Sequence, residues 1–439
     1  MPGVLFNLIY LVLIAAISPA LLYQRWRHGK YREGWDQKLW GRLPERKSVA
    51  TKRVWIHAVS VGEVLQLQQL IRQLRNNSRD PLDILVTTTT QTGFQVAREK
   101  LTDCEISYFP LDFTWSVREA LKRAQPDLIV LVELEIWPNF LTRASSLQIP
   151  VMLINGRLSE KSFKGYRKIR FLMSRLLNRV GKIAVQSEEY RQRFLELGCA
   201  EERILVTGSI KFDGVETNRQ RPEIEELRRF FQIQRDEFVF IAGSTQDPEE
   251  EMALITFEEL RRQNPKSRLI IVPRHPERGE AIAQLIQERG HTVIRRSQQS
   301  AQKPSSNEPP PVGLLDTVGE LSHCWALADS AFVGGSFGNR GGQNMLEPAA
   351  YGVPVCCGPN TRNFRQIVEI LKSENALRIA QNQDDLNNFV CESFHDSGFA
   401  TAMGHRARDL VLSHQGATQT TVHLILEKLG EERRVNRAA

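Results

Sequence analysis

Two carboxylates stand two positions apart in Leu128-Ile-Val-Leu-Val-Glu133-Leu-Glu135-Ile-Trp-Pro-Asn139. The apolar run before them reads as a fully buried parallel strand, which puts Glu133 and Glu135 on one face at its carboxyl end. Ligands of open parallel sheets bind at that edge, and a carboxylate held there is placed for general acid–base work. Solvated loop acids are the alternative. A third acid closes Ser60-Val-Gly-Glu63. Ser-x-x-Glu is also a helix capping box, in which Glu63 reaches back to the Ser60 amide. Spacing alone favours the cap, with a cleft-facing base as the second reading. Anion chemistry has its own residues. Phe332-Val-Gly-Gly-Ser-Phe-Gly-Asn-Arg-Gly-Gly-Gln-Asn-Met-Leu-Glu347 carries glycines at 334, 335, 338, 341 and 342. They let backbone N–H groups approach a phosphate, ahead of a helix expected to begin near Asn344. There Asn344 and Glu347 share one helical turn, and the carboxylate suits two sugar hydroxyls. Arg274 in Val272-Pro-Arg274-His275 offers a bidentate fork for phosphate. Lys211 in Gly208-Ser-Ile-Lys211 fits a cationic clamp across a cleft, and Ser244 in Gly243-Ser-Thr245 adds a hydroxyl donor. A surface lysine and a plain helix N-cap are the ordinary readings of the last two.

These residues must be carried by strands and helices in alternation. Strand candidates are Arg53–Ala58, Ile84–Thr89, Ile129–Val132, Val151–Ile154, Lys182–Val185 and Ile204–Thr207. After a charged, helix-compatible bridge (Arg219 to Asp236) the pattern restarts with Phe238–Ala242, Leu269–Val272, Thr292–Ile294, Val312–Leu315, Ser330–Val333 and Val353–Cys356. The spacing predicts α/β architecture: two doubly wound, Rossmann-like domains facing a central cleft. The expected division is 1–47 for a membrane anchor and basic juxtamembrane segment, 48–218 for the first domain and 219–236 for a linker. Residues 237–415 then form the second domain and 416–439 a C-terminal helix.

A chain of 439 residues is too long for one ordinary core, and 41% hydrophobic with 25% charged residues is a globular composition. The net charge of +7 points to acidic partners: phosphorylated substrates or an anionic membrane. No nucleic-acid-binding signature accompanies the charge. Six cysteines without a C-x-x-C pair and nine histidines without close spacing predict no metal site and no disulfide framework. Val4 to Tyr23 is apolar save Asn7 and Ser18, about the length that crosses a bilayer. Arg25, Arg27, His28, Lys30 and Arg32 follow it, which places the next domain on the cytoplasmic side. Pro19 allows an interfacial, monotopic anchor instead. Lys161 to Arg179 interleaves seven basic residues with Phe163, Tyr166, Phe171, Leu172 and Leu176. It reads equally as a basic amphipathic helix for anionic lipid and as a solvated helix face.

The motifs HAVSVGE (57–63), TTTTQTG (87–93), VELEIWPN (132–139), INGRLS (154–159), GSIKFD (208–213), VPRHPER (272–278), VGE (318–320) and Gly334-Gly335 followed by Glu347-Pro348 occur in this order. Together with the N-terminal apolar segment, they resemble the lipid A 3-deoxy-D-manno-octulosonic acid (Kdo) transferases of Gram-negative envelopes. The resemblance implies a GT-B glycosyltransferase that moves Kdo from CMP-Kdo to a phosphorylated lipid A precursor with inversion. It implies the cytoplasmic face of the inner membrane and no metal cofactor, consistent with the absence of a D-x-D motif. It assigns Glu63 as general base, against the capping preference, and Glu133 as a second acid near acceptor or Kdo. CMP contacts fall to Pro273, Arg274, Val318, Gly319, Glu320, Asn344, Met345, Leu346 and Glu347. Two positions depart from the family pattern: Gln343 and Gln246 stand where histidine is common, and glutamine hydrogen-bonds without carrying charge. Two other classes stay in view, a UDP-sugar epimerase of the same fold and an inactive, membrane-tethered sugar-nucleotide binder.

Overall fold

The computed structural model of the protein describes residues 3–12, 18, 33–298 and 309–430. The chain divides into two compact units, residues 1–214 with 415–439, and residues 215–414. The first holds β1 (Lys52–His57), β2 (Leu82–Thr88), β3 (Glu105–Tyr108), β4 (Leu128–Val132), β5 (Val151–Gly156), β6 (Lys182–Val185) and β7 (Ile204–Val206). Their order is β3-β2-β1-β4-β5-β6-β7, all pairs parallel. The chain reverses its winding between β1 and β4, and at that switch point the carboxyl ends of both strands open onto a crevice.

Period-two alternation explains the core. In β1, Trp55 packs with Leu131, Leu153 and Phe140 on one face, while Val54 and Ile56 pack with Val64, Leu67 and Val130 on the other. The amino-terminal edge of the sheet is tied electrostatically. Arg53, fully buried, reaches Asp83 at 2.7 Å and Glu105 at 2.8 Å, joining β1, β2 and β3. Structure is thus secured at one end of the strands, and the other end is left for chemistry.

The second unit holds β8 (Val239–Thr245), β9 (Arg268–Pro273), β10 (Val293–Arg295), β11 (Val312–Leu314), β12 (Ser330–Val333), β13 (Val355–Cys357) and β14 (Arg378–Ile379). Their order is β10-β11-β9-β8-β12-β13-β14, again parallel, with the switch point between β8 and β12.

Several elements differ from expectation. The segment 219–236, expected as a helix-compatible bridge, falls within the second unit. It contains the helix Pro222–Phe230, buries Ile224 and Leu227, and sends Arg219 to the carbonyls of Tyr351 and Ala326. The basic stretch 161–179 forms two helices, Glu160–Arg167 and Arg170–Leu177. Beyond His414 the chain returns to the first unit. The helix Ala417–Leu429 lays Val422, Ile425 and Leu426 against the Val61–Asn77 helix. Asp213 caps its start by accepting from the amides of Gly416 and Thr418.

The apolar run Val4–Tyr23 is described only at residues 4–12 and at Ser18; its remainder and the basic run from Arg25 to Arg32 lie outside the described residues. Residues 3–12 are helical. Asn7 bonds Thr114 and Asn139, and the Tyr10 hydroxyl donates to Asp112 at 2.8 Å. Val4, Leu5, Leu8, Leu11 and Val12 on the same segment are exposed. Among the described residues no helix is long and apolar enough to cross a membrane.

Candidate active site

Three acids meet at the β1/β4 switch point of the first unit. Glu63 sits one residue after the Gly62 of a helix start whose N-cap is Ser60. Its Oε2 accepts from the Val59 amide at 2.8 Å and its Oε1 from the Ser60 hydroxyl at 2.7 Å. The capping geometry is therefore present, though the amide that donates to Glu63 is that of Val59, not Ser60. Glu63 is nearly buried. Burial pushes its carboxyl above the usual range, the Ser60 and Val59 bonds oppose this, and the charges of Glu133 and Glu135 add to it. The loop before it is braced by β2, since Thr88 and Thr90 both donate to the Val59 carbonyl. A Cβ on Gly93 would stand 2.6 Å from Thr88 Oγ1, so only glycine lets that brace close.

Glu133 and Glu135 follow the last residue of β4. Glu133 has φ +64°, a left-handed conformation that costs a side-chain-bearing residue energy and concentrates at functional sites. It faces two cations, Lys211 Nζ at 3.5 Å and Arg157 Nε at 3.7 Å. Lys211 is delivered by Asn155, whose Oδ1 accepts from the Ile210 amide at 3.2 Å. Lys211 thus stands beside the acid cluster of the first unit. Glu135 accepts from the Trp137 indole at 2.7 Å and faces His57 Nε2 at 3.6 Å.

The second unit carries the other predicted residues after the carboxyl ends of β8, β9, β11 and β12. Ser244 has φ +56°. Pro273 is buried and Arg274 exposed, its backbone held by the Thr245 carbonyl at 3.0 Å. Asn344 Nδ2 donates to Glu347 Oε1 at 3.1 Å. Burial pushes Glu347 up, while the Asn344 bond and the Arg274 charge pull against it. Val318 and Gly319 are exposed on a loop whose Glu320 is engaged by Arg296 at 2.7 Å. The side chains of Met345 and Leu346 are buried and belong to the core.

The glycine loop is built differently from expectation. The helix after it spans only Leu346–Ala350. The amides of Gly335, Ser336 and Phe337 converge on one anion, and that anion is the protein's own. Glu249, 1% exposed, accepts them at 2.6, 2.8 and 2.9 Å. An incoming phosphate therefore finds side chains, not these amides. Gly334 permits the arrangement, since a Cβ there would lie 2.6 Å from Glu249 Oε2. Gln246 and Gln343 flank the same turn, their Nε2 atoms 3.6 and 3.2 Å from where a Gly335 Cβ would stand.

His57, Asn155, Arg157 and Glu249 are not singled out by the sequence reading. The first three appear there only inside matched motifs, and Glu249 does not appear at all. Among the described residues, no three His, Cys, Asp or Glu side chains are grouped to hold a metal ion.

Residues 33–214 match the family described as 3-Deoxy-D-manno-octulosonic-acid transferase (kdotransferase). The chain is 32% identical over 374 residues to the 3-deoxy-D-manno-octulosonic acid transferase of Haemophilus influenzae, spanning 85% of this chain and 86% of that protein. It is 29% identical to the enzyme of the same description from Bordetella pertussis, over 96% of this chain and 99% of that one. Among solved structures, UDP-GlcNAc 2-epimerase from Neisseria meningitidis superposes with a TM-score of 0.55 over 85% of this chain and 100% of its own, at 14% identity. That likeness is one of fold, the GT-B arrangement of two parallel-sheet units.

Proposed function

The chain belongs to the 3-deoxy-D-manno-octulosonic acid (Kdo) transferase family, and from that premise we propose that it moves Kdo from CMP-Kdo to a phosphorylated lipid A precursor by a single inverting displacement. It is a glycosyltransferase of lipopolysaccharide biosynthesis. The observation that carries the mechanism is that Glu63 is the acid of the cluster with no lysine, arginine or histidine within ion-pair distance among the described residues, whereas Glu133 faces Lys211 and Arg157 and Glu135 faces His57. Its partners are an amide and a hydroxyl, and its proton affinity is raised by burial and two like charges.

A carboxylate in that state accepts the proton of the acceptor hydroxyl as its oxygen attacks the anomeric carbon of Kdo. The bond from that carbon to the phosphate oxygen breaks, and CMP departs with the electron pair. Arg274 stabilises the departing phosphate, and Glu347 with Asn344 takes the ribose hydroxyls. Ser244, Pro273, Val318, Gly319 and Glu320, with the main chain of Met345 and Leu346, complete the nucleotide site. Glu133, held by Lys211 and Arg157, orients the acceptor sugar. The transfer needs no metal ion, so activity should survive chelation.

The exposed apolar side chains of residues 4–12 and the exposed Ile169 and Phe171 beside basic residues support a place at the cytoplasmic face of the inner membrane. An epimerase is disfavoured because the epimerase likeness extends to fold alone. A binder without turnover is the second reading, favoured by the uncharged Gln246 and Gln343 at the glycine loop.

One experiment tests base and activity together. Glu63→Gln should bind CMP as the wild type does and lose transfer by about two to four orders of magnitude. Wild-type transfer should fall as pH drops through the raised Glu63 value, because the base is then protonated. Unchanged turnover per folded molecule, with a lower melting temperature, would return Glu63 to the helix cap. Absence of acceptor-dependent CMP release in the wild type, despite tight CMP binding, would establish the binder.

A further inference from the structure

The three clustered acids are neutralised unequally. Glu133 has Arg157 and Lys211, and Glu63 has an amide and a hydroxyl. Glu135 has the Trp137 indole and the ring of His57. His57 is the last residue of β1, fully buried and stacked on Phe109 with ring centroids 3.8 Å apart. Its Nδ1 lies 3.0 Å from the Thr87 carbonyl and 3.2 Å from Thr87 Oγ1. That hydroxyl already accepts from the Trp55 indole. A carbonyl has only lone pairs to offer, so Nδ1 carries a hydrogen.

Nε2 is buried and has no hydrogen-bond partner. A lone pair there would face the Glu135 carboxylate at 3.6 Å with no donor between them, an unfavourable arrangement away from water. A second ring hydrogen makes the same geometry attractive. No other cation stands within ion-pair distance of Glu135 among the described residues.

We propose that His57 is a positioning residue for transfer: as an imidazolium it holds Glu135 and cancels its charge, sparing the Glu63 base one of its two like-charged neighbours. The consequence for the base rests on Glu63 acting as proposed above, whereas the His57–Glu135 pair itself does not. The titratable groups facing Glu135 are His57 from β1, Glu63 from the Val61–Asn77 helix and Tyr166 from the Glu160–Arg167 helix. Glu133 is the remaining acid of the cluster, with its two cations.

The test uses the full-length protein and two readouts. His57→Gln keeps a donor of similar reach but no charge. Its turnover should fall about ten- to a hundredfold through misplacement of the cluster. The acidic limb of its kcat/KM profile should move to higher pH, because an uncompensated Glu135 raises Glu63 further. His57→Gln combined with Glu135→Gln should bring the limb back, there being no charge left to cancel. A folded His57→Gln with the wild-type limb, or a double variant whose limb stays displaced, would overturn the proposal. The second readout needs no activity. In ¹⁵N-histidine-labelled protein at neutral pH, both ring nitrogens of His57 should carry protons, and Glu135→Gln should remove one. A singly protonated ring in the wild type would sink the idea even if Glu63 proves to be the base. Loss of activity in Glu63→Gln bears on the base alone.

Discussion

Glu347 and Arg274 follow different strands, β12 and β9, so on the proposed donor site their loss should be felt by different parts of the donor. Arg274→Ala removes a forked cation from phosphate, and Glu347→Ala removes the ribose acceptor. Each should weaken CMP binding by about 1.5–3 kcal/mol, the usual worth of a charged hydrogen bond, as read by CMP titration. Wild-type affinity in both variants would move the nucleotide site elsewhere. Glu249 acts one step back. Gln at this position offers one acceptor oxygen and places an amide group against the loop's N–H donors. Glu249→Gln should cost about 3 kcal/mol in denaturant unfolding of the second unit, together with donor affinity. Stability unchanged within error would mean that the loop holds its shape without the carboxylate. At this scale the acids were legible, because an apolar run ending in Glu-x-Glu has one plain placement in a parallel sheet. Glu249 and His57 were not. A first-turn acid and a strand-end histidine acquire their roles from loops nearly ninety and eighty positions away, through contacts that no local pattern encodes.

Among the elements, the helix Pro138–Ser146 has no side-chain cap of its own. Asp112 supplies one from a distant loop, accepting from the amides of Asn139 at 3.0 Å and Phe140 at 2.7 Å and from the Tyr10 hydroxyl. Burial outweighs these bonds and pushes the Asp112 carboxyl up to about 6. Folded Asp112 therefore holds its proton over a window, about pH 4 to 6, in which the unfolded chain has released it. Its stabilising contribution is full below that window and lost as pH rises through it, on the order of 3 kcal/mol in all. Asp112→Asn should flatten this part of the stability–pH curve, followed by urea unfolding between pH 4 and 7. An unchanged slope would assign the titration to another group. Twelve of the strands were legible because buried parallel strands are continuous apolar runs. Glu105–Tyr108 is an edge strand with Glu105 and Ile106 half-exposed, and Arg378–Ile379 is two residues long, so neither carries such a run. The charged segment 219–236 was legible as helix-compatible, but that its helix Pro222–Phe230 seats Ile224 and Leu227 in a core was not.

For the whole molecule, the net charge of +7 sets the expectation at a lipid surface. Protein lacking residues 1–23 loses the Tyr10 and Asn7 bonds but no sheet strand, and should fold. It should sediment with anionic vesicles at low salt through the basic helices between residues 160 and 177. Each basic side chain contributes about 1 kcal/mol near such a surface, and binding should fall away at high salt. Salt-independent binding would reveal an apolar insertion surface, and no binding at either salt would leave residues 4–23 as the attachment. The path of the chain has a further consequence, for biosynthesis. All seven strands of the first unit precede residue 207, yet the Val61–Asn77 helix, seated on the sheet, also packs against Val422, Ile425 and Leu426. A ribosome delivers the N-terminal part first. The nascent first unit must therefore wait with the Val422, Ile425 and Leu426 side of that cluster unfilled while the whole second unit is translated. The part that is made first is completed last, and a chaperone bound during elongation would find its natural target on that helix.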